Sequence, residues 1–346
     1  MSDSLALYRK YRPGNFKEVL GQEHVVKVLE GAIKEGNVAH AYLFAGSRGT
    51  GKTSVARIFA REVGTSEKDL YEIDAASNRG VDDIRELREG VHALPFDSTY
   101  KVYIVDEVHM LTKEAFNAFL KTLEEPPKHA LFILATTEIE KLPETIISRC
   151  QVFTFKKPTQ KVLKDMITAA AKREGFALES AAGELIALLA DGSFRDALGV
   201  LQKILSSSKD KKVSLEEVEL VTGAPKGELL NATLEAIEET DSAKGLKAVR
   251  EAASANLDMR IFLTLLLERI RAVLLLRFAK DMEVDLAGEF SESDFAYLKK
   301  VAGNKESKVN AAALKRLLEA YTDSARAHIP ELPLELALID LTGGSK

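Results

Sequence analysis

A glycine-rich turn between an apolar run and a helical pattern constrains this chain more than any other stretch. Residues Ala41 to Ala45 are typical of a buried strand, and they are followed at once by Gly46-Ser47-Arg48-Gly49-Thr50-Gly51-Lys52-Thr53. Apolar side chains then recur at helical spacing, at Val55, Ile58, Phe59 and Val63. A strand before the turn and a helix after it are the context that the phosphate-binding loop pattern requires.

Each fixed residue of this pattern has a chemical reason. Glycines let the backbone curl so that successive N–H groups point at one phosphate group, and the start of the helix adds its positive end. Lys52 is expected to reach the β and γ phosphates of a nucleotide, and the Thr53 hydroxyl to hold Mg²⁺. The competing interpretation is a glycine-rich turn before an ordinary helix, and the flanking strand and helix weigh against it.

Two adjacent carboxylates end a second apolar run, Lys101 to Glu107. A carboxylate at a strand end can hold Mg²⁺ through water, which is the role expected of Asp106. Glu107 points to the other side of the strand and can orient and deprotonate an attacking water molecule. A solvated strand end is the alternative. The position about fifty residues after the phosphate loop favours the catalytic interpretation.

Two further candidates carry weaker signals. Thr137 follows the apolar run Leu131 to Ala135, where a hydroxyl can sense the γ-phosphate or the attacking water, but threonine is also an ordinary residue at a strand end. Tyr11 and Pro13 lie in a segment where basic and aromatic residues alternate. They form either a lip over the purine base or part of a solvated N-terminal arm.

Composition limits the function classes. The net charge is −5, so any contact with nucleic acid must use a local patch rather than global charge. Cys150 is the single cysteine, which excludes a disulfide or a cysteine zinc site within the chain and suits a reducing cytoplasm. The N-terminal residues have no apolar core of signal-peptide length. The longest apolar stretch, Ile261 to Ala279, contains four charged residues and reads as a buried amphipathic helix rather than a membrane span.

The order of patterns predicts the architecture. Strand and helix patterns alternate up to residue 157, which favours a parallel sheet flanked by helices. Strand signals disappear from residue 159 onward, and Gly223-Ala224-Pro225 marks a second boundary. The sequence therefore predicts an α/β nucleotide-binding domain over 1–157, an all-α domain over 158–223 and another over 224–346.

Together the motifs resemble one protein family. They are Tyr11-Arg12-Pro13, Gly21-Gln22-Glu23-His24, His40 to Phe44, Gly46 to Thr53, Asp74 to Ser77, Asp106 to Leu111, Leu120 to Pro127, Ala135-Thr136-Thr137 and Ser148-Arg149-Cys150. This combination resembles the gamma/tau subunits of bacterial DNA polymerase III, which are the ATPases of the sliding-clamp loader in the AAA+ class. The likeness is dense over residues 6 to 223 and looser to the C-terminus.

The resemblance implies a P-loop AAA+ ATPase domain, a helical lid and a helical collar that holds a pentamer together. It implies that Thr137 is the first sensor, at a position where related loaders carry Asn, and that Arg195 is the second sensor on the lid. It also implies that Arg149 is an arginine finger that enters the ATP site of a neighbouring subunit. Without the resemblance, Arg149 reads as a surface ion pair and Arg195 as a solvated charge at a helix start.

The resemblance also implies ligands and partners. The cofactors are ATP and Mg²⁺, and the chain is expected to hydrolyse ATP within the DNA polymerase III complex. The partners are the delta and delta-prime subunits, copies of this chain, the beta sliding clamp and the backbone of primed DNA, with no membrane. Arg79 and Lys121 lie on helices that the resemblance turns toward DNA, although both also fit solvated helix charges.

Two departures from the family pattern affect these expectations. The family usually carries a four-cysteine zinc module after the phosphate-loop helix, whereas here Gly64 to Lys68 leads directly to the next strand, so no zinc is expected. The long tail of the larger family form is also missing from this sequence, so a scaffolding role through that tail is not expected.

Two other functions compete with the clamp-loader motor. The first is a related AAA+ ATPase, such as a replication factor C small subunit or a recombination ATPase, and Glu124 to Pro127 and Asp74 to Ser77 point away from it. The second is a non-catalytic assembly subunit of the delta-prime kind. The intact phosphate loop and the Asp106-Glu107 pair argue against it.

Overall fold

The computed structural model describes residues 5–78, 80–208, 210–287, 290–304 and 306–343. The chain divides into two compact units, one made of Met1–Ala170 and Ala190–Gln202, the other of Ala171–Leu189 and Lys203–Lys346. The domain boundaries at residues 158 and 224 stay predictions.

The first unit is built on a five-stranded parallel sheet. Its strands are β1 (Ala41–Ala45), β2 (Leu70–Asp74), β3 (Lys101–Asp106), β4 (Ala130–Thr136) and β5 (Gln151–Thr154), in the spatial order β2-β3-β4-β1-β5. Each neighbouring pair is parallel, as the alternation of strands and helices predicts. The carboxyl ends of β1, β3 and β4 therefore lie at one edge of the sheet, where ligands bind in open α/β folds.

Helices cover both faces of this sheet, with α3 on one face and α5 on the other. In chain order from residue 5 to residue 207 the helices are α1 (Leu7–Lys10), α2 (Glu23–Lys34), α3 (Lys52–Glu62), α4 (Val81–Val91), α5 (Lys113–Glu124), α6 (Glu144–Ile147), α7 (Gln160–Arg173), α8 (Ser180–Leu189) and α9 (Phe194–Ser207), of which α8 belongs to the second unit. Successive strand residues point to opposite faces, so Phe44 packs in one core cluster with Phe59 of α3, while Leu43 packs in the other with Phe119 of α5. The phosphate-loop strand is thus buried on both sides.

A buried aspartate fixes the loop that precedes β3. Asp69 is 1% exposed, and its carboxylate accepts the backbone N–H groups of Phe96 (2.6 Å), Asp97 (2.9 Å) and Ser98 (3.0 Å). Burial would raise the pKa of this carboxyl, but the hydrogen bonds, including one from Ser66, outweigh burial and hold the pKa well below its usual range. The charged form of Asp69 therefore stabilises this loop. We call Asp69 and the three residues whose N–H groups it accepts, Phe96, Asp97 and Ser98, the Asp69 clamp.

The second unit is helical around one apolar core. Its remaining helices are α10 (Leu215–Thr222), α11 (Gly227–Glu239), α12 (Ser242–Ser254), α13 (Met259–Phe278), α14 (Glu283–Ala287), α15 (Glu292–Gly303), α16 (Ala311–Ser324) and α17 (Leu332–Thr342). Three of them meet at a polar group: Arg269 of α13 donates to Asp294 of α15 (3.0 Å) and to Asn231 of α11 (3.1 Å). Arg269 of α13 is therefore buried among helices, and no described helix is both long and apolar enough to cross a membrane.

The structure differs from the sequence prediction in three places. Residues beyond 159 do contain strands, because β6 (Ala177–Leu178) pairs in parallel with β7 (Lys212–Val213), and two-residue strands leave no periodic signal. The short helices α1, α6 and α14 are likewise too brief to show a period. The spacing of apolar residues in the sequence predicts a helix from Ser77 to Val91, but α4 begins at Val81, because the Asp74 side chain accepts the Ala76 N–H (2.9 Å) and forms a turn instead.

Candidate nucleotide-binding site

The glycine-rich loop joins β1 to α3 and folds around the lysine that follows it. Lys52 Nζ donates to the carbonyl oxygens of Gly46 (2.7 Å) and Ser47 (2.9 Å), and Thr50 Oγ1 donates to the same Ser47 oxygen (2.9 Å). Lys52 is 6% exposed. Burial lowers its pKa, against the opposite pull of Glu107 and Asp106. The loop therefore holds a buried cation at the start of a helix, which is suited to an anionic ligand.

The two residues predicted to hold Mg²⁺ are in direct contact. Thr53 Oγ1 donates to Asp106 Oδ2 at 2.7 Å, which places a hydroxyl and a carboxylate oxygen side by side at the sheet edge. Hard oxygen ligands of this kind suit Mg²⁺, which keeps several waters and needs few protein ligands when it also binds phosphates. No group of three or more His, Cys, Asp or Glu side chains that could hold a metal ion occurs in the described ranges.

Glu107 is held by the neighbouring strand end. Its backbone is left-handed, with φ of 49°, a conformation that costs a non-glycine residue about 1–2 kcal/mol and persists where contacts hold it. Glu107 Oε2 accepts the Thr137 hydroxyl at 2.9 Å and the Thr137 N–H at 3.3 Å. The structure thus brings together the predicted base and the predicted first sensor.

A cavity of about 520 Å³ opens beside the loop. Its lining includes residues that the sequence singled out, namely Tyr11, Pro13, Arg48, Gly49, Thr50, Gly51, Lys52, Thr53, Asp106, Glu107 and Arg195. The guanidinium of Arg195 lies 4.9 Å from the centre of the Tyr8 ring, and its hydrogen bond is the main cause that lowers the pKa of Tyr8. The N-terminal segment and α9 therefore face the same cavity as the phosphate loop.

Helix α9 begins against the phosphate loop. Phe194 N–H donates to the Gly49 carbonyl at 3.0 Å, and the Ser193 hydroxyl caps the helix by accepting the Asp196 N–H at 3.2 Å. Gly49 has φ of +75°, and a Cβ at this position would lie 2.0 Å from Ser193 Oγ. Only glycine fits there without a shift of the loop or the helix.

Arginines that the sequence analysis did not single out also line the cavity. Arg12 and Arg57 both contribute to its wall, and Arg57 forms an ion pair with Glu72 of β2. Burial, followed by the repulsion of Arg57, lowers the pKa of the Arg12 guanidinium. Their positions in the sequence could have predicted this, because Arg12 lies between Tyr11 and Pro13 and Arg57 lies one helical turn after Thr53. The same wall also carries acidic side chains, among them Glu72, Asp106 and Glu107, so basic and acidic groups meet at this cavity.

Two residues that the resemblance assigned to a neighbouring subunit or to DNA, Arg149 and Lys121, are not among the described residues that line this cavity. Arg149 instead donates to Glu124 Oε1 (2.6 Å) and to the Thr145 carbonyl (2.8 Å). Lys121 is exposed on α5. Arg79 lies outside the described residues.

Comparison with known proteins identifies the relatives of both parts of the chain. The family described as DNA polymerase III, delta subunit, matches residues 21–78 and 64–159, and the family described as DNA polymerase III subunits gamma and tau domain III matches residues 213–346. The DNA polymerase III subunit tau of Bacillus subtilis is 42% identical over 299 residues, which cover 80% of this chain and 53% of that protein. The gamma/tau subunit of Mycobacterium tuberculosis is 38% identical over 300 residues, covering 80% of this chain and 52% of that protein.

Solved structures support the fold. The Thermotoga maritima RuvB Holliday junction branch migration motor matches with a TM-score of 0.53 at 25% identity, covering 71% of this chain and 85% of that one. The parallel sheet, the phosphate loop and the paired carboxylates thus belong to an AAA+ fold. The chain spans about half the length of the tau and gamma/tau relatives it matches. Over the part that it shares with them, this chain belongs to the bacterial DNA polymerase III gamma/tau family.

Proposed function

We propose that this chain is the ATP-hydrolysing motor subunit of a bacterial sliding-clamp loader, which opens the beta clamp and loads it on primed DNA. One arrangement carries the proposal: in a gamma/tau family member, Thr53 contacts Asp106 beside a buried Lys52, and Glu107 is held at the same cavity. A non-catalytic assembly subunit would not need this arrangement.

The site residues divide the work of hydrolysis. The loop N–H groups and Lys52 bind the phosphates. Thr53 and Asp106 would hold Mg²⁺, which would supply positive charge to neutralise the phosphates. Glu107 orients a water molecule and takes its proton as the water oxygen bonds to the γ phosphorus. The bond from that phosphorus to the bridging oxygen breaks, and ADP leaves. Arg195 approaches the phosphates from α9, with Tyr11 and Pro13 beside the base.

We propose that Arg149 acts on a neighbouring copy. It contacts Glu124 and the Thr145 carbonyl and is one-third exposed, so a second subunit can reach it. A guanidinium supplied in trans is worth roughly 10³ to 10⁵ in rate in other nucleotide hydrolases, and it makes hydrolysis depend on assembly. The ion pair between Arg149 and Glu124 is compatible with this role, because Glu124 can hold the Arg149 side chain before a neighbouring subunit binds.

The proposed partners follow from the family. They are the delta and delta-prime subunits and further copies of this chain in a pentamer, the beta clamp, and primed DNA contacted at its backbone by Lys121 and Arg79. Residues 158–223 serve as the lid and residues 224–346 as the collar. Such a replication protein works in the cytoplasm.

The test is ATP hydrolysis by the purified chain mixed with delta and delta-prime subunits, with and without the beta clamp and primed DNA. Strong stimulation that needs all components is the expected result. Activity that is indifferent to clamp and partners would instead favour another AAA+ ATPase. Stimulation by branched DNA alone would direct the function toward recombination.

Two variants assign the roles within this assay. Lys52→Ala is expected to abolish nucleotide binding. Arg149→Ala is expected to keep ATP binding and to lose stimulated hydrolysis by roughly three orders of magnitude. Arg271→Ala is the matched control, because Arg271 is a surface arginine paired with Glu268 at 3.0 Å. Normal turnover by the Arg149→Ala assembly would contradict the action in trans.

A further inference from the structure

A buried histidine lies next to the catalytic carboxylate without belonging to the cavity wall. His109 follows β3 on the single turn Val108–Met110, and its side chain is 6% exposed. Nδ1 is 3.0 Å from Thr136 Oγ1 and 3.5 Å from Glu107 Oε2, and Nε2 is 3.0 Å from Glu138 Oε2. The imidazole therefore touches three polar residues that flank the ends of β3 and β4.

These contacts form a closed ring of hydrogen bonds. The Glu138 carboxylate only accepts, so His109 Nε2 carries the proton that it donates. In the neutral imidazole Nδ1 is then an acceptor, and the Thr136 hydroxyl donates to it. The Thr136 oxygen in turn accepts the backbone N–H of Glu138 at 3.0 Å. Each member donates to the next, which fixes the imidazole, the Thr136 rotamer and the backbone after β4.

The ring sets the position of Glu107 through the next residue in the chain. Thr136 is fully buried and precedes Thr137, whose N–H and hydroxyl hold Glu107 Oε2. The left-handed backbone of Glu107 needs such support. A shift of the β4 end would move both the carboxylate and the hydroxyl that restrains it.

We propose that His109 is a positioning residue for ATP hydrolysis, which through Thr136 and Glu138 fixes the Glu107 carboxylate and the Thr137 hydroxyl. The proposal rests on the role of Glu107 as the base in the proposed function. His109 does not bind nucleotide, so its loss should lower the turnover number and leave the affinity for ATP unchanged. A misplacement of about 1 Å can cost about 10²-fold in rate.

Two substitutions of His109 test the roles of its two ring nitrogens one at a time. His109→Asn places an amide near Nδ1 and can still accept from Thr136, while Glu138 retains Lys141 as a partner at 2.8 Å. His109→Gln places an amide near Nε2, keeps the donor to Glu138 and leaves the Thr136 hydroxyl without its acceptor. Because the link to Glu107 runs through Thr136, the Asn variant should keep more activity than the Gln variant.

The experiment measures single-turnover ATP hydrolysis and ATP affinity in the full chain assembled with delta, delta-prime, clamp and primed DNA. The expected result is a loss of about 10²-fold in rate for His109→Gln and His109→Ala, near-normal rate for His109→Asn, and ATP affinity within about twofold of wild type. The control is His129→Gln, because His129 is a half-buried histidine that contacts the Val91 carbonyl at 2.9 Å away from the site.

Two results would overturn the proposal, and one of them also tests the function itself. The first result has Glu107→Gln abolish hydrolysis while the three His109 variants either keep normal rates or lose rate, ATP affinity and thermal stability together. Positioning by His109 is then wrong, and the proposed function stands. If Glu107→Gln hydrolyses ATP normally, the assignment of the base fails, and the positioning role fails with it.

Discussion

Gly49 occupies a position that the phosphate-loop pattern leaves open, yet the structure demands glycine there. We therefore expect Gly49→Ala to weaken nucleotide binding. An alanine Cβ would lie 2.0 Å from Ser193 Oγ and 2.9 Å from Ser193 Cβ, well inside the roughly 3.5 Å contact distance of carbon atoms. Either the loop or the start of α9 has to move.

The size of the effect has two parts. A side chain at φ of +75° costs about 1–2 kcal/mol. Displacing the Ser193 hydroxyl breaks the cap on Asp196, which costs about 1 kcal/mol more. If nucleotide binding needs the observed loop conformation, the total of about 2–3 kcal/mol weakens binding by roughly 30- to 150-fold.

A second substitution separates the two parts. Ser193→Gly removes the clashing atoms and by itself costs only a few tenths of a kcal/mol at a helix cap. Added to Gly49→Ala it should restore binding by roughly three- to fivefold, since the backbone cost remains. Gly51→Ala is the matched control, because Gly51 has φ of +101° but a Cβ there meets no atom within 4 Å. Ser193→Gly should bring no recovery in that background.

Titration of each variant with a fluorescent ATP analogue measures these affinities directly. The reasoning is refuted if Gly49→Ala binds as tightly as wild type, or if Ser193→Gly improves the Gly51→Ala variant as much as the Gly49→Ala variant.

Three further predictions concern stability and DNA. Asp69→Asn should lower the free energy of unfolding by about 2 kcal/mol near neutral pH. Because the pKa of Asp69 is lower in the folded than in the unfolded chain, its charged form stabilises the fold above the unfolded pKa of about 3.9, and this stabilisation is lost as the pH falls toward the folded pKa. In urea unfolding, the difference in stability between wild type and Asp69→Asn should therefore begin to shrink below about pH 4. Asp294→Asn leaves Arg269 buried without its carboxylate and should cost about 3–5 kcal/mol, measured by far-ultraviolet circular dichroism; an unchanged melting curve would contradict it. Lys121→Ala should weaken DNA binding for all sequences alike and reduce the salt slope by about 1, and a change confined to one sequence would exclude a backbone contact.

The sheet and the centre of the site could be predicted from the sequence because the patterns that indicate them are local. The apolar runs that became β1, β3 and β4 lie within a residue of their predicted ends. The approach of Thr53 to Asp106 follows from parallel strands, which place their carboxyl ends together.

Contacts that depend on side-chain orientation could not be predicted. Nothing in the sequence near His109 indicates that its ring closes between Thr136 and Glu138, because these residues meet only when β3 and β4 are paired. The clash that restricts position 49 depends likewise on Ser193, which is far away in the chain. The role of Arg149 depends on a second subunit and stays a prediction.

The Asp69 clamp also determines where this region can accept extra residues. Thr65 Oγ1 donates to the Tyr100 carbonyl at 3.2 Å, and Ser66 N–H donates to Ser98 Oγ at 2.7 Å, so the chain is tied from residue 65 to residue 69. A side chain at Gly64 would meet no atom within 4 Å. A labelling peptide or a grafted module joined directly after Gly64 would leave every one of these ties in place, whereas the same graft three residues later would separate Ser66 from Asp69 and release the loop before β3.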